Sequence, residues 1–147
     1  RDTSVTGVQT CALPISLLTG LKGKERLLIT VYPRMSDIPL NGYAINFQLQ
    51  NNIETNNEII LHFNPRPSTI ALNWRTGANW NPKECTLYWN QSKKNLFKDE
   101  FVLGIKPLAN NECEVYIDDI LLTQMSLNRP LTDATHIAYS NSIGIKV

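Results

Sequence analysis

Long apolar runs, a disulfide framework and an excess of charge are all missing from this 147-residue sequence. No apolar run approaches the roughly 18 residues of a membrane-spanning helix, so we expect no membrane insertion. The net charge is +1 and the Lys and Arg residues are scattered, so we expect no nucleic-acid partner. With 42% hydrophobic residues, the chain is long enough to bury the core of one globular domain.

Cysteine is also scarce, with Cys11, Cys85 and Cys113 as the three examples. Cys85 and Cys113 stand in the apolar positions of alternating stretches, so we interpret them as buried free thiols. No Cys-x-x-Cys motif and no histidine at a suitable spacing indicates zinc. The sequence therefore predicts no metal site and no cofactor, and it favours a reducing compartment.

Residues 1–16 are unlike the rest of the chain. The run from Val5 to Ile15 reads as one common sequencing adapter translated in a single frame. We therefore predict that residues 1–16 are a non-native, disordered segment and exclude them from the fold prediction. The sequence does not begin with Met, so we expect the natural N terminus to lie elsewhere. The predicted globular domain covers residues 17–147.

The domain itself reads as all-β. Short β-rich runs recur between Asn, Gly, Pro and Asp residues, and neither heptads nor a long helical stripe appears. A tight turn is expected at Asp118-Asp119 and one helical turn at Leu131–Thr135. The predicted strands cover residues 26–32, 42–50, 58–64, 69–75, 84–89, 101–106, 112–118 and 120–125, with one or two more within 136–147. This pattern is typical of two antiparallel sheets packed face to face.

One stretch, residues 57–66, places a polar set opposite an apolar set. His62, Asn64 and Arg66 alternate with Leu61 and Phe63, so the polar side chains stand roughly 7 Å apart on one face of a strand. They offer hydrogen-bond donors and acceptors in several directions, which suits a ligand made of hydroxyl groups. If successive strands are neighbours, one hydrophilic surface forms. Its members are Asn46, Gln48, His62, Asn64, Arg66 and Asn73.

The run His62-Phe63-Asn64-Pro65-Arg66, followed by Asn73 and Trp80, resembles the sugar-binding signature of the galectins. The resemblance spans about residues 17–147, the size of one galectin carbohydrate-recognition domain. It implies a jelly-roll β-sandwich of the galectin-like or concanavalin-like kind. It also implies a non-enzymatic lectin for β-galactosides of the lactose or N-acetyllactosamine type, carried on glycoproteins or glycolipids. A cytoplasmic protein exported by a non-classical route is implied too, while a homodimer and a tandem-domain protein both stay open.

The resemblance assigns a role to each residue of the signature. His62, Asn64 and Arg66 are expected to hydrogen-bond the axial C4 hydroxyl of galactose, and Asn73 its C6 hydroxyl. Such a site discriminates strongly, because the wrong epimer leaves buried polar groups unpaired. Trp80 is expected to stack on the apolar face of the sugar. Trp74 and Trp89 follow the apolar alternation and are predicted to belong to the core.

Three positions depart from the family pattern. Galectins follow the Trp with Gly, then with Glu three residues after the Trp and Arg two further on, where this chain has Asn81, Lys83 and Cys85. Glu84 stands one residue late, and a shifted loop would let it substitute for the Glu. Arg75 is a candidate replacement for the second arginine.

These departures motivate a second interpretation, a galectin-related protein-interaction domain with weak or lost galactoside binding. A third class is a glycoside hydrolase on a similar sandwich. Such an enzyme needs two carboxylates about 5–10 Å apart, and apart from Glu84 no acid is expected near the proposed groove.

Overall fold

The computed structural model describes residues 10–14, 25–49 and 58–147. Within these residues the chain forms twelve strands and one 3-10 turn, with no helix long and apolar enough to cross a membrane. The strands are β1 (Thr10–Pro14), β2 (Leu27–Pro33), β3 (Ile45–Gln48), β4 (Ile59–Pro65), β5 (Thr69–Thr76), β6 (Asn79–Trp80), β7 (Cys85–Tyr88), β8 (Phe101–Pro107), β9 (Glu112–Ile117), β10 (Ile120–Ser126), β11 (His136–Ser140) and β12 (Ile143–Lys146).

The strands form two antiparallel sheets. One sheet, which we call the polar sheet, has the order β1-β11-β3-β4-β5-β6, with β7 also paired to β5. The second sheet has the order β10-β9-β8-β2-β12. The predicted all-β sandwich of two antiparallel sheets is thereby confirmed.

The core lies between the two sheets because alternate residues of each strand point inward. Phe63 of β4 and Phe101 of β8 meet across the interface, with ring centroids 6.4 Å apart. Cys113 is a buried free thiol within this core, and its burial raises its pKa to about 12. Cys85, Trp74 and Trp89 are partly buried and pack against the same core, in line with their predicted apolar positions.

Two turns follow the sequence prediction closely. Asp118 and Asp119 both have positive φ and join Ile117 to its antiparallel partner Ile120, as a two-residue hairpin requires. The 3-10 turn at Leu131–Asp133 lies within the predicted helical turn, and Leu131 is buried.

The N-terminal segment differs from its prediction where it can be described. Thr10–Pro14, expected to be disordered, pairs with β11 along its full length as an edge strand. The edge of β11 offers unpaired backbone N–H and C=O groups, and any extended segment in reach can satisfy them. Residues 1–9 and 15–24, and the predicted loop at 51–57, lie outside the described residues.

The polar sheet depends on one close backbone approach. Gly42 has φ +67°, and a Cβ added there would lie 1.6 Å from the carbonyl oxygen of Pro65. Glycine therefore allows the segment before β3 to pass against the end of β4. Gly77 has a similar φ of +58°, with nothing within 4 Å of an added Cβ.

We predict that Gly42→Ala lowers the free energy of unfolding by at least about 2 kcal/mol, because the backbone strain is joined by the clash with Pro65. Gly77→Ala is the matched control and is expected to cost about 1 kcal/mol, since it carries the strain alone. Urea denaturation of both variants measures the difference. Equal costs for the two substitutions would contradict the close approach.

Candidate functional site

A row of polar side chains crosses the outer face of the polar sheet. β4 lies between β3 and β5, and the antiparallel register sets Asn46 opposite His62 and His62 opposite Asn73. The polar faces predicted separately for the three strands therefore form one surface. Five side chains of this surface are only 2–7% exposed, which is less than a solvated sheet face would show. They are Asn46, Gln48, His62, Asn64 and Asn73.

His62 is neutral and its tautomer is set by a neighbour. Burial, with smaller contributions from the positive charges of Arg66 and Arg75, lowers the pKa of His62 to about 3. Its Nδ1 lies 2.6 Å from Asn46 Oδ1. Because that oxygen only accepts hydrogen bonds, Nδ1 carries the proton, and Nε2 is left as an acceptor.

Asn64 is held rigidly by the backbone beside it. Its Nδ2 donates to the carbonyl oxygens of Tyr43 at 2.7 Å and Asn41 at 3.0 Å. These two bonds use both of its amide hydrogens. Its Oδ1 accepts a hydrogen bond from Arg66 Nε at 3.0 Å, and the Asn64 side chain also interacts with the His62 imidazole. Asn64 therefore offers a ligand an acceptor rather than a donor.

Arg66 is fixed at both ends of its guanidinium group. At one end, Nε donates to Asn64 Oδ1. At the other end, Nη1 donates to Glu84 Oε1 at 3.2 Å and Nη2 donates to Glu84 Oε2 at 3.1 Å. Thr86 Oγ1 also donates to Glu84 Oε1, at 2.9 Å. Such a two-bond pair fixes the guanidinium plane as well as its position. The side chains of Arg66 and Glu84 are about one-third exposed, so the pair lies at the surface of the site.

The strand pairing explains why Glu84 reaches Arg66. β7 runs beside β5 with Cys85 opposite Leu72, which sets Glu84 at the start of the edge strand. Arg66 follows the end of β4, where its N–H donates to the carbonyl oxygen of Thr69 at 2.8 Å. The shifted loop between Trp80 and Glu84 thus brings the acid to the arginine. Lys83, which occupies the family position of the acid, is exposed.

Asn73 carries a buried acceptor with no partner. Its Nδ2 donates to the carbonyl oxygen of Asn81 at 3.0 Å, which fixes the amide. Its Oδ1 is buried and makes no hydrogen bond within the described part of the chain. An unpaired buried acceptor is unfavourable, so this atom is suited to accept a hydrogen bond from a ligand.

Trp80 closes one end of the polar row. β6 pairs with β5 so that Trp80 stands opposite Arg75, and the Arg75 guanidinium carbon lies 5.3 Å from the centre of the indole. The Trp80 and His62 rings are 4.7 Å apart and inclined at 59°. Trp80 is partly exposed and, unlike Trp74 and Trp89, does not pack against the core. Trp80 therefore borders the polar row beside His62.

The structure thus gathers the predicted site residues on one face: His62, Asn64, Arg66, Asn73, Trp80 and Glu84. Two further contributors were not predicted as site residues. Asn46 sets the tautomer of His62, and Thr86 braces Glu84. Strand alternation predicts that Asn46 lies on the outer face, yet only the register between strands shows which side chains meet.

Comparison with known proteins agrees with this geometry. A family model described as galactoside-binding lectin matches residues 13–147. The matched region begins at residue 13, within the segment 1–16 that the sequence predicts to be non-native. A search of curated proteins gave no match.

Several solved structures share the fold at low identity. Galectin LEC-6 from Caenorhabditis elegans is 15% identical with a TM-score of 0.64, over 92% of this chain and 85% of that one. Sheep galectin-11, solved with glycerol, is 12% identical with a TM-score of 0.63, and the match covers 97% of this chain and 99% of that one. A variant of human galectin-16 is 16% identical with a TM-score of 0.67, and the match covers 97% of this chain and 96% of that one. With a family model matched over nearly its whole length, the chain belongs to the galectins, the galactoside-binding lectin family.

Proposed function

We propose that this galectin-family domain binds β-galactosides of the lactose or N-acetyllactosamine type on the outer face of the polar sheet. The observation that carries the proposal is the two-bond pair between Arg66 and Glu84. It supplies the acid that the family pattern places one residue earlier. Arg66 is therefore held as a fixed donor beside two acceptors, His62 Nε2 and Asn64 Oδ1.

This donor and acceptor set fits the axial C4 hydroxyl of galactose. The hydroxyl hydrogen can be accepted by His62 Nε2 or by Asn64 Oδ1, while the hydroxyl oxygen accepts from Arg66. Glucose carries this hydroxyl on the other side of the ring and would leave these groups unpaired. The C6 hydroxyl would donate to Asn73 Oδ1, which has no partner within the described residues.

Trp80 supplies the apolar half of the site. The C–H groups of galactose would pack on the indole face by dispersion and weak electrostatics. In the structure this ring leans against His62.

We propose binding without a reaction. Hydrolysis of a glycosidic bond needs one carboxylic acid and one carboxylate on either side of it. Glu84 lies at this site, but Arg66 and Thr86 engage its oxygens. Its charge thus positions Arg66. Membership of a non-enzymatic lectin family supports the same conclusion.

The second candidate is a galectin-related protein-interaction domain with weak or lost galactoside binding. The observation that favours it is the low exposure of the polar row, 2–7%, together with the contact between Trp80 and His62. Lys83 and Cys85 at the family positions of Glu and Arg point the same way. For either function we propose cytoplasmic and extracellular locations, reached by a non-classical route, and a homodimer or tandem-domain arrangement.

Calorimetric titration with lactose tests the proposal directly, with cellobiose as the control sugar. We expect saturable heat with lactose alone. Arg66→Ala and Trp80→Ala should each weaken binding at least about tenfold, because they remove charge-assisted hydrogen bonds and the stacking surface respectively. Arg26→Ala, on the other sheet, should leave binding unchanged. A folded protein that gives no heat with lactose would favour the second candidate, and release of the chromophore from a nitrophenyl galactoside would contradict both.

The Arg66–Glu84 pair has its own test. We expect Glu84→Gln to weaken lactose binding about three- to tenfold, because a neutral amide holds the guanidinium less firmly than a carboxylate. Glu100→Gln removes the same charge from an exposed position away from the site and should have no effect. Unchanged affinity in Glu84→Gln would show that Arg66 needs no acid partner.

The neutral state of His62 predicts a flat pH profile. With a pKa of about 3, His62 stays neutral at pH 5.5, so lactose affinity should change less than about twofold between pH 7.5 and 5.5. A histidine with the ordinary pKa near 6.5 would be about 10% neutral at pH 5.5, and affinity would fall about tenfold. Titrations at the two pH values distinguish these cases.

A further inference from the structure

Asn64 and Arg66 of the candidate site belong to a closed ring of five hydrogen bonds. Arg66 Nε donates to Asn64 Oδ1 at 3.0 Å, and Asn64 Nδ2 donates to the carbonyl oxygen of Tyr43 at 2.7 Å. Tyr43 Oη donates to the carbonyl oxygen of Leu96 at 2.7 Å. The N–H of Leu96 donates to Gln91 Oε1 at 2.8 Å, and Gln91 Nε2 donates to the carbonyl oxygen of Arg66 at 3.3 Å. The ring thus returns to the residue from which it starts.

All five bonds of this ring point in the same direction around it. Each residue donates one hydrogen bond to the next member and accepts one from the member before it. Hydrogen bonds arranged head to tail polarise one another, and each bond is stronger in the protein interior than in water. Because the bonds support one another in this way, we expect the loss of any one of them to weaken the other four.

Tyr43 anchors the ring of hydrogen bonds in the core. It is fully buried, and its aromatic ring packs edge-on against Phe97, with centroids 5.4 Å apart and planes inclined at 83°. Burial raises the pKa of Tyr43 well above its usual value, so the hydroxyl keeps its hydrogen and remains a donor. Its backbone carbonyl holds Asn64 while its hydroxyl reaches Leu96. One side chain with little freedom to move therefore links the outer face of the polar sheet to the core.

Gln91 closes the ring from the turn that follows β7. In this turn the N–H of Lys93 donates to the carbonyl oxygen of Asn90 at 3.1 Å. The side-chain amide of Gln91 uses its oxygen toward Leu96 and its nitrogen toward Arg66. The N–H of Arg66 is already bonded within its own strand connection, so Gln91 fixes the remaining backbone group of that residue. Gln91 thereby sets the point from which the guanidinium group extends.

The ring and the Arg66–Glu84 pair hold different parts of Arg66. Glu84 engages Nη1 and Nη2 at the surface, where both side chains are about one-third exposed. The ring engages Nε and the backbone carbonyl on the buried side, and it fixes the amide of Asn64 at the same time. A site whose groups are ordered before the ligand arrives loses less entropy on binding. An opened ring would therefore lower the affinity even with the pair to Glu84 intact.

We propose that Tyr43 and Gln91 are positioning residues for galactoside binding, which act on the sugar only through Asn64 and Arg66. The inference rests on the proposed galactoside binding and adds two residues that make no contact with the ligand. Tyr43 is enclosed by the core, and the Gln91 amide faces the backbone of Arg66. The affinity of the site thus depends on hydrogen bonds that lie behind it.

Tyr43→Phe and Gln91→Met each open the ring while nearly keeping the size of the side chain. We expect each variant to weaken lactose binding about three- to tenfold in calorimetric titration, the effect of losing about one hydrogen bond. The double variant should bind about as weakly as the weaker single variant, because a ring that is already open has little more to lose. Tyr116→Phe and Gln124→Met are the matched controls. They remove a tyrosine and a glutamine hydrogen bond from the second sheet and should leave lactose affinity unchanged.

A second measurement reads the ring without any sugar. In ¹⁵N-labelled protein the Nε–H signal of Arg66 is identified by its absence from Arg66→Ala. We expect this hydrogen to exchange with solvent at least about tenfold faster in Tyr43→Phe and in Gln91→Met, because exchange follows local opening. The two control variants should not change its rate.

The outcomes separate the ring from the site that it supports. Unchanged lactose affinity in both folded single variants overturns the proposal and leaves galactoside binding intact. Losses that multiply in the double variant overturn it as well, because Tyr43 and Gln91 would then act independently. A fall in affinity without faster exchange of the Arg66 Nε–H has the same consequence, since the two residues would act by another route.

Two further cases are covered by the same variants. Gln91→Met changes a turn at the surface, so it tests the ring even if Tyr43→Phe fails to fold. Absence of lactose binding by the wild-type protein removes the proposed function and the role of the two residues in it. Faster exchange in the variants would still show that the ring holds Arg66, and unchanged exchange would overturn the ring itself.

Discussion

The pairing of β4 between β3 and β5 is the constraint on which the core and the candidate site both depend. It sets Asn46, His62 and Asn73 in one row on the outer face. The same register turns Leu61 and Phe63 into the core. Side chains alternate with a period of two, so a slip by one residue would turn the imidazole into the core and the phenyl ring onto the outer face. The hydrophobic effect that holds the sandwich together therefore also aligns the polar groups.

Burial decides the chemistry of the row once it is aligned. A buried imidazole loses its charge, and a buried amide must find partners for its hydrogens. His62 accordingly binds Asn46 as a neutral ring, and Asn64 turns its amide hydrogens toward the backbone. The groups left to hydrogen-bond a ligand are mainly acceptors, namely His62 Nε2, Asn64 Oδ1 and Asn73 Oδ1, together with the N–H donors of Arg66. Hydroxyl groups complement such a set because each of them both donates and accepts.

The Arg66–Glu84 pair shows how a departure from a family pattern can be absorbed. The acid stands one residue late in the sequence, yet the edge strand β7 begins where both carboxylate oxygens face the guanidinium group. Geometry rather than sequence position defines the role.

The sequence by itself determined the all-β class, most strand positions, the Asp118-Asp119 turn and the set of polar residues on the outer face. These features follow from local rules: side-chain alternation, turn propensities and a short signature around His62. Only the tertiary structure decided that Glu84 reaches Arg66, that Asn46 sets the His62 tautomer, and that Thr10–Pro14 forms an edge strand. Each of these depends on which strands pair and in what register, and pairing is fixed by packing of the whole sandwich rather than by any one segment.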